Sequence, residues 1–84
     1  MEINKIKKLE GKIFEKDELF KIISSYGFIF YEIQIPLLSY LRKLLKLSYS
    51  AKLIWENSVE KKIVLDIEIL EDDYIFIKVN KIYL

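Results

Sequence analysis

Histidine and cysteine are both missing from the 84 residues. Their absence removes the usual general base, the thiolate nucleophile and the commonest metal ligands. What remains for chemistry is carboxylate, lysine, tyrosine and serine. Asp66 and Glu68 stand two apart in an alternating stretch and so share one strand face. A paired-carboxylate enzyme also needs a pocket around them, which 84 residues with two glycines hardly supply. Neither a Gly-rich phosphate loop nor a dinucleotide fingerprint occurs. No catalytic, cofactor-binding or metal-ligating residues are therefore expected, and the chain is not expected to be an enzyme on its own.

Two charged groups have spacing that suits recognition. Glu71-Asp72-Asp73 interrupts an apolar, alternating stretch. Such a trio serves as an ordinary polar hairpin loop, in which Asp tolerates a left-handed backbone, or as an acidic plug for a basic pocket on another chain. Arg42, Lys43, Lys46 and Lys52 recur at helical spacing with Tyr40 and Tyr49 between them. The plain reading is the solvated face of an amphipathic helix. The functional alternative is a phosphate-facing stripe, with Arg42, Lys46, Tyr49 and Lys52 as RNA contacts and the tyrosine stacking on an unpaired base.

The chain as a whole narrows these options. Fourteen basic residues against thirteen acidic leave a net charge of +1, so no global electrostatic footprint for nucleic acid exists. A hydrophobic content of 52% with 14% aromatics supports a core and argues against disorder. No apolar run approaches the roughly 18 residues of a membrane span, and residues 1–12 do not read as a signal peptide. The expectation is one soluble, cytoplasmic domain over residues 1–84, with no cofactor and no membrane partner.

The elements follow from periodicity. Residues 1–10 carry Ile3, Ile6 and Leu9 at roughly helical spacing, as a short helix or as a strand leading through Gly11 into Lys12-Ile13-Phe14. Asp17 is the expected N-cap of a helix to Tyr26, with Leu19, Phe20, Ile22, Ile23 and Tyr26 on one face and Gly27 as its stop. Phe28–Ile35 alternates as a strand. Pro36 suits the first position of a long helix with Leu37, Leu38, Leu41, Leu44, Leu45, Ser48 and Lys52 or Trp55 facing inward. Its end is expected between Tyr49-Ser50 and Asn57-Ser58. Lys61–Leu84 reads as a hairpin: Ile63, Leu65, Ile67 and Ile69 on one face of the first strand, then Ile75, Ile77 and Val79 on one face of the second. Tyr74, Phe76, Ile82 and Leu84 load the other face, so the last strand is apolar on both sides. The fold class is thus α+β, a small single domain with a helix, a strand, a long helix and a C-terminal β-hairpin in a mixed or antiparallel sheet.

The stretches LLKLSYSAKL and KKIVLDIEILEDDYIFIKV resemble the C-terminal part of archaeal tRNA-splicing endonuclease subunits, as does ELFKIISS followed by YGFIFYEI. That family runs a helix into an arginine–x–x–histidine–serine–x–arginine–lysine pattern, then a strand, an acidic loop and a last strand. Lys46 stands at the first arginine, Tyr49 at the histidine, Ser50 at the serine, Lys52 at the second arginine and Leu53 at the lysine. The match spans about half the chain, and Ile54–Glu60 is an insertion in it. Family members that cut RNA use a tyrosine, a histidine and a lysine, whereas this chain has no histidine. The resemblance therefore implies a non-catalytic structural subunit that joins a catalytic endonuclease subunit on precursor tRNA or another structured RNA. Glu71, Asp72 and Asp73 would dock in a basic pocket of the neighbour. The last strand, with Tyr74, Phe76, Lys78, Ile82, Tyr83 and Leu84, would pair with the partner's last strand. Two rivals carry different expectations. A small winged-helix nucleic-acid-binding protein would use the Pro36 helix for recognition and the hairpin as wing, although the helix is leucine-rich and the wing tip acidic. A viral or archaeal adaptor would act through a protein interface alone.

Overall fold

In the computed structural model, which describes residues 2–84 and side chains from Asn4 onward, the chain runs α1 (Glu2–Lys7), β1 (Ile13–Glu15), α2 (Lys16–Ser25), β2 (Ile29–Gln34), α3 (Leu37–Leu44), β3 (Tyr49–Glu56), β4 (Lys62–Glu71) and β5 (Ile75–Tyr83). The expected α+β domain with a C-terminal hairpin is what forms. All five strands pair antiparallel in the order β1-β5-β4-β3-β2. Of the two alternatives for residues 1–10 the helix forms, as α1, and a short strand, β1, follows only past Gly11; the side chain of Ile3 lies outside the described residues. Among the described residues, no helix is long and apolar enough to cross a membrane.

The core lies on one face of the sheet. Ala51, Leu53 and Trp55 of β3 and Ile63, Leu65, Ile67 and Ile69 of β4 are buried there, as are Ile77, Val79 and Ile82 of β5. Ile6, Leu19 and Ile23 from the helices complete it, with Phe28 just before β2. Trp55 sits in an aromatic triangle with Phe20 and Phe30, ring centroids 5.1 and 5.3 Å away, in the edge-to-face geometry that aromatic quadrupoles favour.

Helix α2 starts earlier than its composition indicated. Glu15, not Asp17, is the N-cap: its carboxylate accepts from the Asp17 N–H at 3.3 Å. The reason is β1, whose pairing ends at Glu15 in an extended backbone that delivers the side chain to the first turn. Gly27, at φ +88°, ends the helix as expected.

The long helix is short, and this is the main correction. It stops at Leu44, before the earliest boundary expected, in a Schellman arrangement. Leu47 N–H bonds the Arg42 carbonyl, Lys46 N–H bonds the Lys43 carbonyl, and Lys46 takes φ +59°. Residues 49–56 become β3 because Tyr49, Ala51, Leu53 and Trp55 alternate inward while the strand pairs along its full length with residues 62–69 of β4. The same residues also fit a 3.6-residue period through Leu45, Ser48 and Trp55, which is how a helix was expected. Asn57 then closes the β3–β4 turn, its side-chain oxygen accepting from the N–H groups of Val59 and Lys61. The segment taken as an insertion is thus the end of a strand and its turn.

Two bulges explain the remaining differences. Between β4 and β5 the register steps from Asp66–Lys81 to Ile67–Val79, leaving Asn80 as an extra residue. The extra residue returns Ile82 to the core face, where it is 1% exposed. The last strand is therefore not loaded on both faces by Ile82. In β2 the register slips between Phe30 and Glu32, so Phe30 pairs with Trp55 but Ile33 with Leu53. That slip turns Glu32 and Gln34 away from the core side, where simple alternation would have put them with Phe30.

Strand β5 lies inside the sheet, between β1 and β4. Its outer edge is occupied by Ile13–Glu15, by reciprocal bonds between Val79 and the Gly11–Lys12 segment, and by Glu10, whose carboxylate accepts from the Ile82 N–H at 2.8 Å. Pairing of this strand with a neighbour's last strand would first have to displace β1. The free edge of the longer strands belongs to β2.

Candidate functional site

Helix α3 has its polar side toward the protein. At 100° per residue, Ser39, Arg42 and Lys43 share one arc, while Leu37, Leu41, Leu44 and Leu45 share the opposite one. A globular helix buries the leucine arc. Here the one buried residue of α3 is Ser39. Arg42 donates through Nε to the Ser48 carbonyl at 2.7 Å, and the Lys43 ammonium lies 5.8 Å from the Tyr49 ring centroid. Leu37, Leu38 and Leu44 are 79–85% exposed. The leucines expected on the inner face of a long helix are therefore on its outer face.

The reversal follows from the helix ends. Pro36, in an extended backbone and without a side-chain cap, starts α3 directly after β2. The Schellman turn at Lys46 then returns the chain to β3, two residues short of Tyr49. Eight residues held between neighbouring strands are turned by those strands, and not by their own amphipathicity. Of the eighteen exposed large hydrophobic side chains among the described residues, eleven fall between Ile29 and Leu47.

Beside α3 an apolar trough of about 430 Å³ opens on the core side of the sheet. Its floor is Leu53, Ile69 and Ile77, and its far wall is Phe20 of α2 with Phe30 and Ile33 of β2. Lys16, Lys43 and Glu71 stand at its rim. A second, polar cleft of about 390 Å³ shares Lys43, Tyr49 and Glu71 with the trough and continues past Lys46 to Asp72 and Asp73. The Tyr49 hydroxyl donates to Glu71 Oε1 at 2.7 Å where the two spaces meet. Burial, and then the adjacent Glu71 carboxylate, push the Tyr49 phenol above its ordinary range, so it stays a neutral donor.

The acidic trio is an exposed hairpin tip, with Asp72 N–H bonded to the Tyr74 carbonyl. It already faces cations of its own chain, Lys43 and Lys46, across the polar cleft. No ion pair closes that gap among the described residues. Tyr74 and Phe76 stack edge-on at 6.4 Å, outside the core. Lys78 lies opposite Glu68 on the outer sheet face. Tyr83 and Leu84 are about half exposed, whereas Ile82 is buried.

The four expected RNA contacts do not come together. Arg42 and Lys46 flank the end of α3, but Tyr49 is 3% exposed and offers no face for stacking. Lys52 points from the opposite sheet face, 3.8 Å from the Asp66 carboxylate. This corrects the stripe: helical spacing placed on one line residues that a strand sends to two faces. The hairpin that would act as a wing forms the middle of the sheet. Among the described residues, no three Asp or Glu side chains converge as a metal site.

The trough and the inverted helix escaped sequence reasoning because both depend on where α3 stops. One signal did exist: Tyr49, Ala51, Leu53 and Trp55 alternate over eight residues rich in strand formers. A search of family models finds none that matches the chain. Searches of curated proteins and of solved structures likewise find no match.

Proposed function

We propose that this chain is a non-catalytic assembly subunit that works by being bound, with the trough and the α3 face as its principal contact surface. The observation that carries the reading is the orientation of α3. Six leucines between Leu37 and Leu47, 45–85% exposed, form an apolar surface that a lone chain would leave in water. Contiguous apolar surface of this kind marks an interaction site.

Within that class, the resemblance to archaeal tRNA-splicing endonucleases names the first partner to test, a catalytic subunit of that enzyme acting on precursor tRNA. In support of this reading, Glu71, Asp72 and Asp73 form an exposed acidic tip, and Tyr74, Phe76, Tyr83 and Leu84 offer apolar contacts outside the core. Contacts from the last strand would then be made by side chains, since its backbone is already paired with β1. Direct RNA contact by Tyr49 forms no part of the proposal, because its ring is buried. Co-expression with such a catalytic subunit tests the reading. The expected result is a complex that is loosened, in a salt-dependent way, by Asp72→Asn with Asp73→Asn. A chain that neither co-purifies nor alters cleavage of a bulged RNA rules out the endonuclease assignment.

A further inference from the structure

From the pairing of an unburied leucine face with an unfilled apolar trough on one chain, we infer that both are filled by a second copy of this chain in a two-fold dimer. The inference rests on the assembly reading and names its partner. In the pair, the α3 leucines of each protomer lie over the trough of the other. The two sheets then sandwich a shared layer of helices.

Size and surface chemistry match. Two turns of α3 span about 12 Å, and the trough beside it has room for side chains, at about 430 Å³. The trough offers the partly exposed Phe30 and Ile33 of its wall above the buried floor of Leu53, Ile69 and Ile77, an apolar match for the unpaired Leu37, Leu41 and Leu44. A stable interface needs about 800 Å² from each partner, roughly a seventh of the 5883 Å² surface of this chain. Most of its exposed large hydrophobics are already gathered between Ile29 and Leu47.

Charge supports the same occupant. From Ile33 to Leu47 the chain carries Arg42, Lys43 and Lys46 and no acidic residue, and the acidic tip Glu71-Asp72-Asp73 borders the polar cleft that continues the trough. Across a two-fold axis the cations of one α3 approach the tip of the other protomer, and the reverse. An anionic membrane would meet Glu71, Asp72 and Asp73 beside the same helix and be repelled by them. Donor and acceptor surfaces on one chain can also build an open filament. A reciprocal exchange about a two-fold axis closes after two copies.

The test is the mass of the full chain in solution, from low to high micromolar concentration, by sedimentation equilibrium. A species of twice 10.1 kDa is expected. Leu41→Glu on the helix and Ile33→Glu on the trough wall should each give a monomer. Both positions are exposed, at 58% and 41%, so unchanged circular dichroism is expected to show that the fold survives. Mixing the two variants should restore mixed dimers, because one of the two reciprocal contacts then joins an intact helix to an intact trough. A monomeric wild type overturns the proposal, and so does a dimer that ignores both substitutions. So does a wild type that is monomeric yet binds vesicles of phosphatidylcholine and phosphatidylserine through Leu41. A monomeric wild type that still needs Leu41 to co-purify with a catalytic subunit overturns the second copy but keeps the assembly reading. Indifference to Leu41→Glu in every assay overturns both.

Discussion

Two side chains show how single contacts fix the ends of this sheet. Glu10 accepts the Ile82 N–H at 2.8 Å and lies 3.2 Å from the Lys7 ammonium, which itself donates to the Ile82 carbonyl. The backbone hydrogen bond, and then Lys7, hold the Glu10 carboxyl below its ordinary value of 4.5. A carboxylate with a depressed folded-state pKa contributes stability above its unfolded value and loses it as pH falls through the folded one. Glu10→Gln should therefore be less stable than wild type near neutrality and no different in strong acid. Urea midpoints measured at both ends of that range check it. Tyr49 has the opposite sign. Its phenol is raised above 10.0 by burial and by Glu71, so its contribution is present below that value and is lost as pH rises through the folded-state pKa. Tyr49→Phe should cost about 0.5–1.5 kcal/mol at neutral pH. In exchange, it should remove part of the alkaline loss of stability, as seen in unfolding midpoints above pH 10.0.

At the scale of elements, α3 separates packing from amphipathicity. Its leucines do not support their own fold, so Leu41→Glu should change unfolding free energy by no more than about 0.5 kcal/mol for the isolated chain. Leu65, fully buried in β4, should cost about 2–5 kcal/mol on truncation to Ala. Denaturant unfolding of the two variants side by side measures the contrast, provided concentration is low enough to exclude association. The bulges make the second elemental point. Asn80 is the residue that sets the face of everything after it in β5. Deleting it should close the bulge and still leave Ile82 inward, because Val79 opposite Ile67 and Lys81 opposite Asp66 then become successive pairs of a regular ladder. The burial of Ile82 is then kept, and the variant should lose less than the about 2–5 kcal/mol of a core truncation. Unfolding midpoints and retained amide protection at Ile82 check it.

At the scale of the molecule, the chain closes on itself by placing its first strand against its last. Strands β3, β4 and β5 form a meander of neighbours in sequence, but β1 joins β5 across more than sixty residues. That pairing covers the β5 edge, which would otherwise present Ile75–Ile82 as a template for other chains. Removing residues 1–15 should therefore yield a chain that aggregates, or associates through β5, more readily than through α3. Light scattering of the truncated chain against the full one tests this. A truncated protein that stays as soluble as the full chain would show that β1 is not needed as an edge guard.

Local chemistry determined most of this architecture. Strict alternation through Ile63, Leu65, Ile67 and Ile69 specifies β4 because only one pleat face can be dry. Gly27 marks the end of α2, since it alone there accepts a left-handed backbone without a Cβ penalty. The exposed acidic tip was legible for the same local reason, polarity between two apolar strands. What the sequence left open is phase. A single extra residue at Asn80 or near Tyr31 reverses which side chains face the core, and its position depends on cross-strand register, not on the residues beside it. The fate of residues 37–56 was likewise undetermined, because their apolar residues satisfy both a 3.6 and a 2.0 period. Pairing with β4 decides for the strand, through eight residues of ladder that no lone helix can match. That tertiary decision cut α3 to two turns and left its leucines outside. The surface best suited to a partner was thus created by the sheet.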